Sequence, residues 1–180
     1  MFKLKSALIP ILFFGVALVA HAESTDKTQE TAMTPPKPAQ NKVYDALAGT
    51  WQGTSDMHGK KMHEVMKARW ALNHQYLILE VKGTSVDNPK MKYEGMGIFG
   101  LDKDGNARTF WFDSWGGDAA ATGTGTFGDN KLELSDSNAQ FKETRTLEVK
   151  GKEMVMHAKG TMTRDGKEMP FEVTTVYKKK

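Results

Sequence analysis

From about residue 50 onward, apolar and polar positions alternate with a period of two, and turn-forming residues interrupt the alternation at short intervals. This is the pattern of strands that bury one face. It predicts strands over 50–57, 61–71, 75–84, 92–101, 107–115, 119–127, 131–136, 139–149, 153–163 and 169–178. The interruptions contain His58-Gly59, Asn73-His74, Asp87-Asn88-Pro89, Asp104-Gly105-Asn106, Gly116-Gly117, Gly128-Asp129-Asn130, Gly151-Lys152 and Asp165-Gly166-Lys167. Lys103-Asp104-Gly105-Asn106 and Arg164-Asp165-Gly166-Lys167 are the strongest hairpin signals, because glycine adopts positive φ at little cost. Ahead of the strands, Val43, Tyr44, Leu47 and Ala48 fall at helical spacing and stop at Gly49, which predicts a short helix.

About ten sequential strands with short connections make an antiparallel meander, and closing it removes the exposed edges. The turns are nearly all of hairpin length, which leaves no room for the long crossings of a sandwich. Gly95, Gly97, Gly123, Gly125 and Gly160 lie inside strands, where a sharply bent wall needs relief from side-chain crowding. The expected fold is therefore all-β: a roughly ten-stranded antiparallel up-and-down barrel preceded by a short helix.

Alternation also sorts the faces. Met62, Glu64, Met66, Ala68 and Trp70 share one side of their strand, against His63, Val65, Lys67 and Arg69 on the other. Met154, Met156, Ala158, Gly160 and Met162 share another face, so the methionines point inward, to fill a core or line an adaptable cavity. Between 108 and 115, Thr109, Trp111, Asp113 and Trp115 oppose Phe110, Phe112 and Ser114. Both faces carry apolar bulk, so one is expected inside and the other under the helix or a neighbour. An Asp on an aromatic face needs a partner, here Arg108, Arg69 or a backbone amide.

The N-terminal region follows different rules. Lys3 and Lys5 precede an apolar run from Ala7 to Ala20, and Ala20-His21-Ala22 is the small-x-small pattern of a signal-peptidase site. The run is shorter than the roughly 20 residues of a membrane span, and Pro10 breaks its helix early. A signal peptide over 1–22, cleaved after Ala22, is expected, leaving no stable span. Residues 23–41 are polar, lack aromatics and carry Pro35, Pro36 and Pro38, as in a flexible leader; the barrel domain then fills 42–180. The chain has no cysteine, which excludes disulfides, thiolate metal sites and a lipid-anchored cysteine. Its formal charge is +3, of which Lys3 and Lys5 account for two, so the cleaved form carries +1. That near-neutral balance, with a basic run only at Lys178-Lys179-Lys180, speaks against a nucleic-acid partner. Localisation is expected in the periplasm or outside the cell.

Catalytic patterns are thin. The sequence has no HExxH, no GxSxG and no phosphate-cradling Gly-Lys-Ser/Thr loop. Gly123-Thr124-Gly125-Thr126-Phe127-Gly128 imitates a nucleotide fingerprint but sits in a strand. His58, His63 and Glu64 lie close in sequence, yet His63 and Glu64 point to opposite faces, so no metal is expected. No Ser-His-Asp or paired-carboxylate set follows from spacing, and an enzyme is not the favoured reading.

Leu47-Ala48-Gly49-Thr50-Trp51-Gln52-Gly53 resembles the opening Gly-x-Trp-x-Gly of calycin-type barrels. Arg69-Trp70, Gln75-Tyr76-Leu77, Tyr93-Glu94-Gly95-Met96-Gly97, Leu101-Asp102 and Trp111-Phe112-Asp113-Ser114 extend the likeness to a bacterial domain family of unknown function numbered 1579, over about 43–177. The resemblance implies a barrel similar to lipocalins, fatty-acid-binding proteins and haem-binding nitrobindins. The last of these hold ferric haem through one late histidine. His157 is the matching position here, although alternation turns it outward and the typical His-Leu-x-Ala ending is absent. The expected function is non-catalytic binding of a small apolar or amphipathic ligand inside the barrel, without a cofactor. Trp51, Glu64, Met66, Arg69, Trp111, Asp113 and Met156 are the candidate lining residues. The alternatives are haem binding through His157 and a packed barrel serving a structural or interaction role.

Overall fold

A computed structural model describes residues 34–164 and 166–180. The expected signal peptide and residues 23–33 of the leader lie outside these. The barrel unit runs from Pro36 to Lys180. It holds a helix, α1 (Lys42–Leu47), and ten strands: β1 (Gly49–Met57), β2 (Lys60–Ala71), β3 (Tyr76–Ser85), β4 (Lys92–Leu101), β5 (Ala107–Asp113), β6 (Ala121–Phe127), β7 (Lys131–Ser137), β8 (Phe141–Lys150), β9 (Glu153–Arg164) and β10 (Lys167–Lys179). Each strand pairs antiparallel with its sequence neighbours, and β1 pairs with β10 from Trp51 opposite Lys179 to Asp56 opposite Thr174, closing the barrel. The expected fold class is what the chain adopts.

Closure works because inward positions line up across the ladders. Trp51, Met66 and Val81 form one inward row, and Gly53, Tyr177, Met154 and Val149 another. Gly95 and Gly97 open a slot for an aromatic ring. A Cβ on Gly95 would stand 2.5 Å from the Trp111 indole, and one on Gly97 3.0 Å from it.

One end of the barrel is sealed by α1. Asn41 caps the helix, its side-chain oxygen accepting from the backbone N–H groups of Val43 and Tyr44, both at 3.0 Å. Val43, Tyr44 and Leu47 enter the barrel and are fully buried. The Tyr44 ring meets Phe127, Trp70 and Phe99 at centroid distances of 5.1, 5.7 and 6.2 Å, and its hydroxyl donates to the Gly100 carbonyl. Trp51 donates from its indole N–H to the Leu47 carbonyl at 2.7 Å, tying helix to wall. Burial pushes the Tyr44 phenol well above its ordinary value, as expected of a hydroxyl held among rings. Among the described residues, no helix is long and apolar enough to cross a membrane.

Three local expectations change. The segment ahead of the helix is tied down from Pro36. Ala39 N–H donates to the His74 carbonyl, and Gln75 donates to the Lys37 carbonyl at 2.8 Å. Trp115 is not on the wall: β5 stops at Asp113, whose carboxylate accepts from the Trp115 N–H at 2.9 Å, and the chain turns through a short 3-10 segment, Gly117–Ala119. Trp115 is consequently 74% exposed. Phe110 and Phe112 are not covered by the helix, which closes one end of the barrel; each is 44% exposed on the outer wall.

Candidate functional site

The inward residues change character along the barrel axis. At the helix end they are aliphatic or aromatic: Trp51, Leu77, Phe99, Ala107, Leu132, Leu147, Val149 and Met154, all buried. Away from the helix the inward positions become polar and half-buried. They include Glu64, Tyr93, Trp111, Asp113 and Arg145, with Met62, Met156, Met162 and Phe141 among them. An inward residue that remains partly exposed is reached from within the barrel, so this end is an open mouth and the helix end a closed floor.

Arg145 organises the polar level. It lies on β8 two residues from Glu143, and the alternation of that strand sends both inward with Leu147 and Val149. Its guanidinium bonds the Glu143 carboxylate and stands over the Trp111 ring, 5.3 Å from the centroid. Burial opposes its charge most strongly, yet Glu143 and Asp136 together hold its pKa above the ordinary value, so the cation persists. Its Nε is buried and has no hydrogen-bond partner.

Glu143 and Asp136 act on this cation, and the other inward carboxylates each have a donor. Asp136 on β7 accepts from Thr109 on β5 at 2.6 Å, across Gly123, where a Cβ would collide with both groups. Glu64 on β2 accepts from Ser55 and from the Tyr177 hydroxyl. Asp113 accepts from Tyr93 at 3.3 Å, and the Tyr93 oxygen accepts from the Trp111 indole N–H at 3.2 Å. The Tyr177 phenol is pushed well up, first by burial and then by Glu64; the Tyr93 phenol rises through burial and then Asp113. Both remain protonated donors at neutral pH. The level is thus a chain of donors and acceptors in which, among the described residues, the Arg145 Nε–H and the Thr175 hydroxyl oxygen are buried without a partner.

The expected lining residues divide. Glu64, Trp111, Asp113 and Met156 face the interior at or near this level. Asp113 finds its partners in Tyr93 and a backbone amide, not in Arg108, which lies 4.0 Å from Asp102, or in Arg69. Trp51 and Met66 face inward but are packed into the floor. Arg69 is on the outer wall, 64% exposed and 3.8 Å from Glu80, so it cannot line the interior. Its alternation with Met66 and Ala68 places it there.

Haem would need an inward imidazole, and the residues present do not fit it. His157 is on the outer wall, its Nε2 2.7 Å from Glu172. His63 contacts Thr54 outside, and His74 stacks on Trp70 at 3.9 Å beside the helix end. His63 and Glu64 diverge as alternation requires. The sequence reading missed Glu143, Arg145, Asp136, Thr109, Tyr93 and Tyr177. A signal was present: two opposite charges at i and i+2 on the apolar face of one strand mark a pair that must neutralise itself inside.

No known family profile matches the chain, and no curated protein matches it in sequence. Among solved structures it is similar to Rv2717c from M. tuberculosis, with a TM-score of 0.61 and 12% identity over 79% of this chain and 99% of that one. A second, EF1p2_mFAP2b bound to DFHBI, gives a TM-score of 0.45 and 12% identity over 77% and 97% of the two chains. At this identity the likeness to Rv2717c bears on fold alone: the chain has a calycin-like closed barrel.

Proposed function

We propose that this protein is an exported, non-catalytic barrel that takes a small amphipathic molecule through its open mouth. The apolar part would lie against Trp111, Met62, Met156 and Met162, and the polar part at the level of Arg145. The observation that carries this reading is the gradient of the interior: a sealed apolar floor, then a hydrogen-bonded polar level, then a methionine-rich rim that remains accessible. A barrel selected for stability alone would gain by filling that level with aliphatic side chains, because buried ion pairs contribute little net stability. The Arg145 Nε–H is buried without a partner, so a ligand acceptor that entered this level would satisfy it. Methionines suit a mouth that adapts to varied apolar shapes.

Export rests on the signal-peptide pattern of the first 22 residues. The test of both parts is native mass spectrometry of protein purified from its own host without detergent or organic solvent. The expected spectrum shows a chain beginning at Glu23 with a stoichiometric added mass that leaves on denaturation. An unmodified mass, unchanged after incubation with fatty acids, fatty amines and monoacylglycerols, would overturn the binding reading. A chain retaining Met1 would overturn export.

A further inference from the structure

The polar level holds a charge that its own residues do not balance. Between the floor and the hairpin tips, the charged inward positions among the described residues are Glu64, Asp113, Asp136 and Glu143 against Arg145 alone. Lys60 and Lys167 begin their strands at the hairpin tips, where both are exposed. Asp136 and Glu143 stand directly opposite each other on β7 and β8, and both are buried. Like charges in that register repel, and Arg145 is the cation that offsets them.

Glu64 and Asp113 have no such cation. Ser55 and Tyr177 donate to the first, and Tyr93 and the Trp115 N–H donate to the second. A neutral donor satisfies a lone pair and leaves the charge in place. Both residues are half-buried, so they are reached through the mouth. A second observation lies beside Glu64. Thr175 faces inward opposite Ser55, whose hydroxyl bonds Glu64, and is fully buried. Its hydroxyl oxygen has no partner, so a donor that entered here would satisfy it. Among the described residues, no group of three or more His, Asp or Glu is arranged to hold a metal ion. The negative charge is spread along the level, which suits an organic cation better than a compact metal ion.

We propose that the interior prefers an amphipath with a cationic head, a protonated long-chain amine. Its ammonium group lies against Glu64 and Asp113, and its chain lies on the methionines of the mouth. This rests on the interior-binding reading and adds the head-group chemistry to it. A fatty acid of equal length is held by its chain alone and is repelled by the same carboxylates, so it binds more weakly.

The test is isothermal titration calorimetry of the chain from Glu23 with octylammonium, 1-octanol and octanoate, at neutral pH and fixed ionic strength. The amine should bind about tenfold or more tighter than the alcohol, with the acid weaker than both. Glu64→Gln and Asp113→Asn should each weaken the amine by about fivefold and leave the alcohol unchanged. Glu80→Gln, on the outer wall beside Arg69, should alter neither. Unchanged alcohol affinity shows that the barrel and its chain site are intact in each variant, and the comparison of the three ligands needs no variant. Equal affinity for all three would overturn the head-group preference and leave the interior reading standing. Binding of none would overturn both. An equal loss of amine binding in Glu80→Gln would mean diffuse surface attraction and overturn the preference.

Discussion

The two ends of this barrel are built from the same ten strands and do opposite things. At the helix end, Val43, Tyr44 and Leu47 plug a ring of apolar residues, and the polar groups there, such as the Trp51 indole and the Tyr44 hydroxyl, are spent on backbone carbonyls. At the open end, Glu64, Tyr93, Asp113, Asp136, Glu143 and Arg145 occupy inward positions that aliphatic residues hold lower down. The difference teaches which part of the interior stabilises the fold and which part does not. Burying apolar area contributes about 25 cal/mol per Å², whereas a buried charge pair returns little beyond its own desolvation. The floor therefore holds the fold, and the polar level is retained at the expense of a better core.

Breaking the floor should have the largest effect. Trp51→Ala removes a fully buried indole and its bond to the helix, and should cost about 4 kcal/mol in urea unfolding, with the m-value retained. Breaking the polar level should come next. Arg145→Met leaves the Glu143 carboxylate buried without its cation, at a cost of about 3 kcal/mol, and combining it with Glu143→Gln should recover most of that loss. A single substitution costing less than about 1 kcal/mol would mean the level is hydrated like a surface pair, and the contrast between the ends would weaken. Asn41→Ala, which uncaps α1 without touching the core, should cost only about 1 kcal/mol.

The smallest effect is absent at neutral pH and appears only in alkali. Tyr44, Tyr93 and Tyr177 have folded-state pKa values raised above the ordinary 10.0. Their folded forms hold protons that the unfolded chain releases, so their contribution is complete below pH 10.0 and is lost as pH climbs toward the folded values. Phenolate absorbance from these three should emerge together with the loss of β-sheet circular dichroism, not before it. Early ionisation of Tyr93 and Tyr177 but not Tyr44 would sharpen the comparison, by showing that alkali reaches the open end while the floor stays closed.

The wall of the barrel was legible because alternation is a local property. The inward set Met62, Glu64, Met66 and Ala68 follows from the pleat, as does the outward His157, and hairpin glycines mark the turns. Which face of β5 looked inward was not legible, since Phe110 and Phe112 match Trp111 and Trp115 in bulk. The answer depends on Gly95 and Gly97, on a neighbouring strand, making the slot for Trp111. The departure of Trp115 depends on one Asp113 carboxylate capping a backbone amide. The polar level was missed because its members are distant in sequence: Thr109 meets Asp136, and Tyr177 meets Glu64 across the closure of the barrel. No window of sequence contains those pairs. Arg69 was assigned to the site on chemistry against its own alternation, and the pleat prevailed.

The most direct test of the central claim is a fluorescence titration with a dansyl-labelled fatty acid, on the chain from Glu23 and on two variants. Met162→Trp fills the mouth, where Met162 faces inward opposite Phe141 and Met169; Phe112→Ser alters only the outer wall. An interior site predicts a blue-shifted emission that saturates at one equivalent, is lost in Met162→Trp and is unchanged in Phe112→Ser. No saturable shift, or a shift lost in Phe112→Ser and kept in Met162→Trp, would contradict an open, ligand-binding interior.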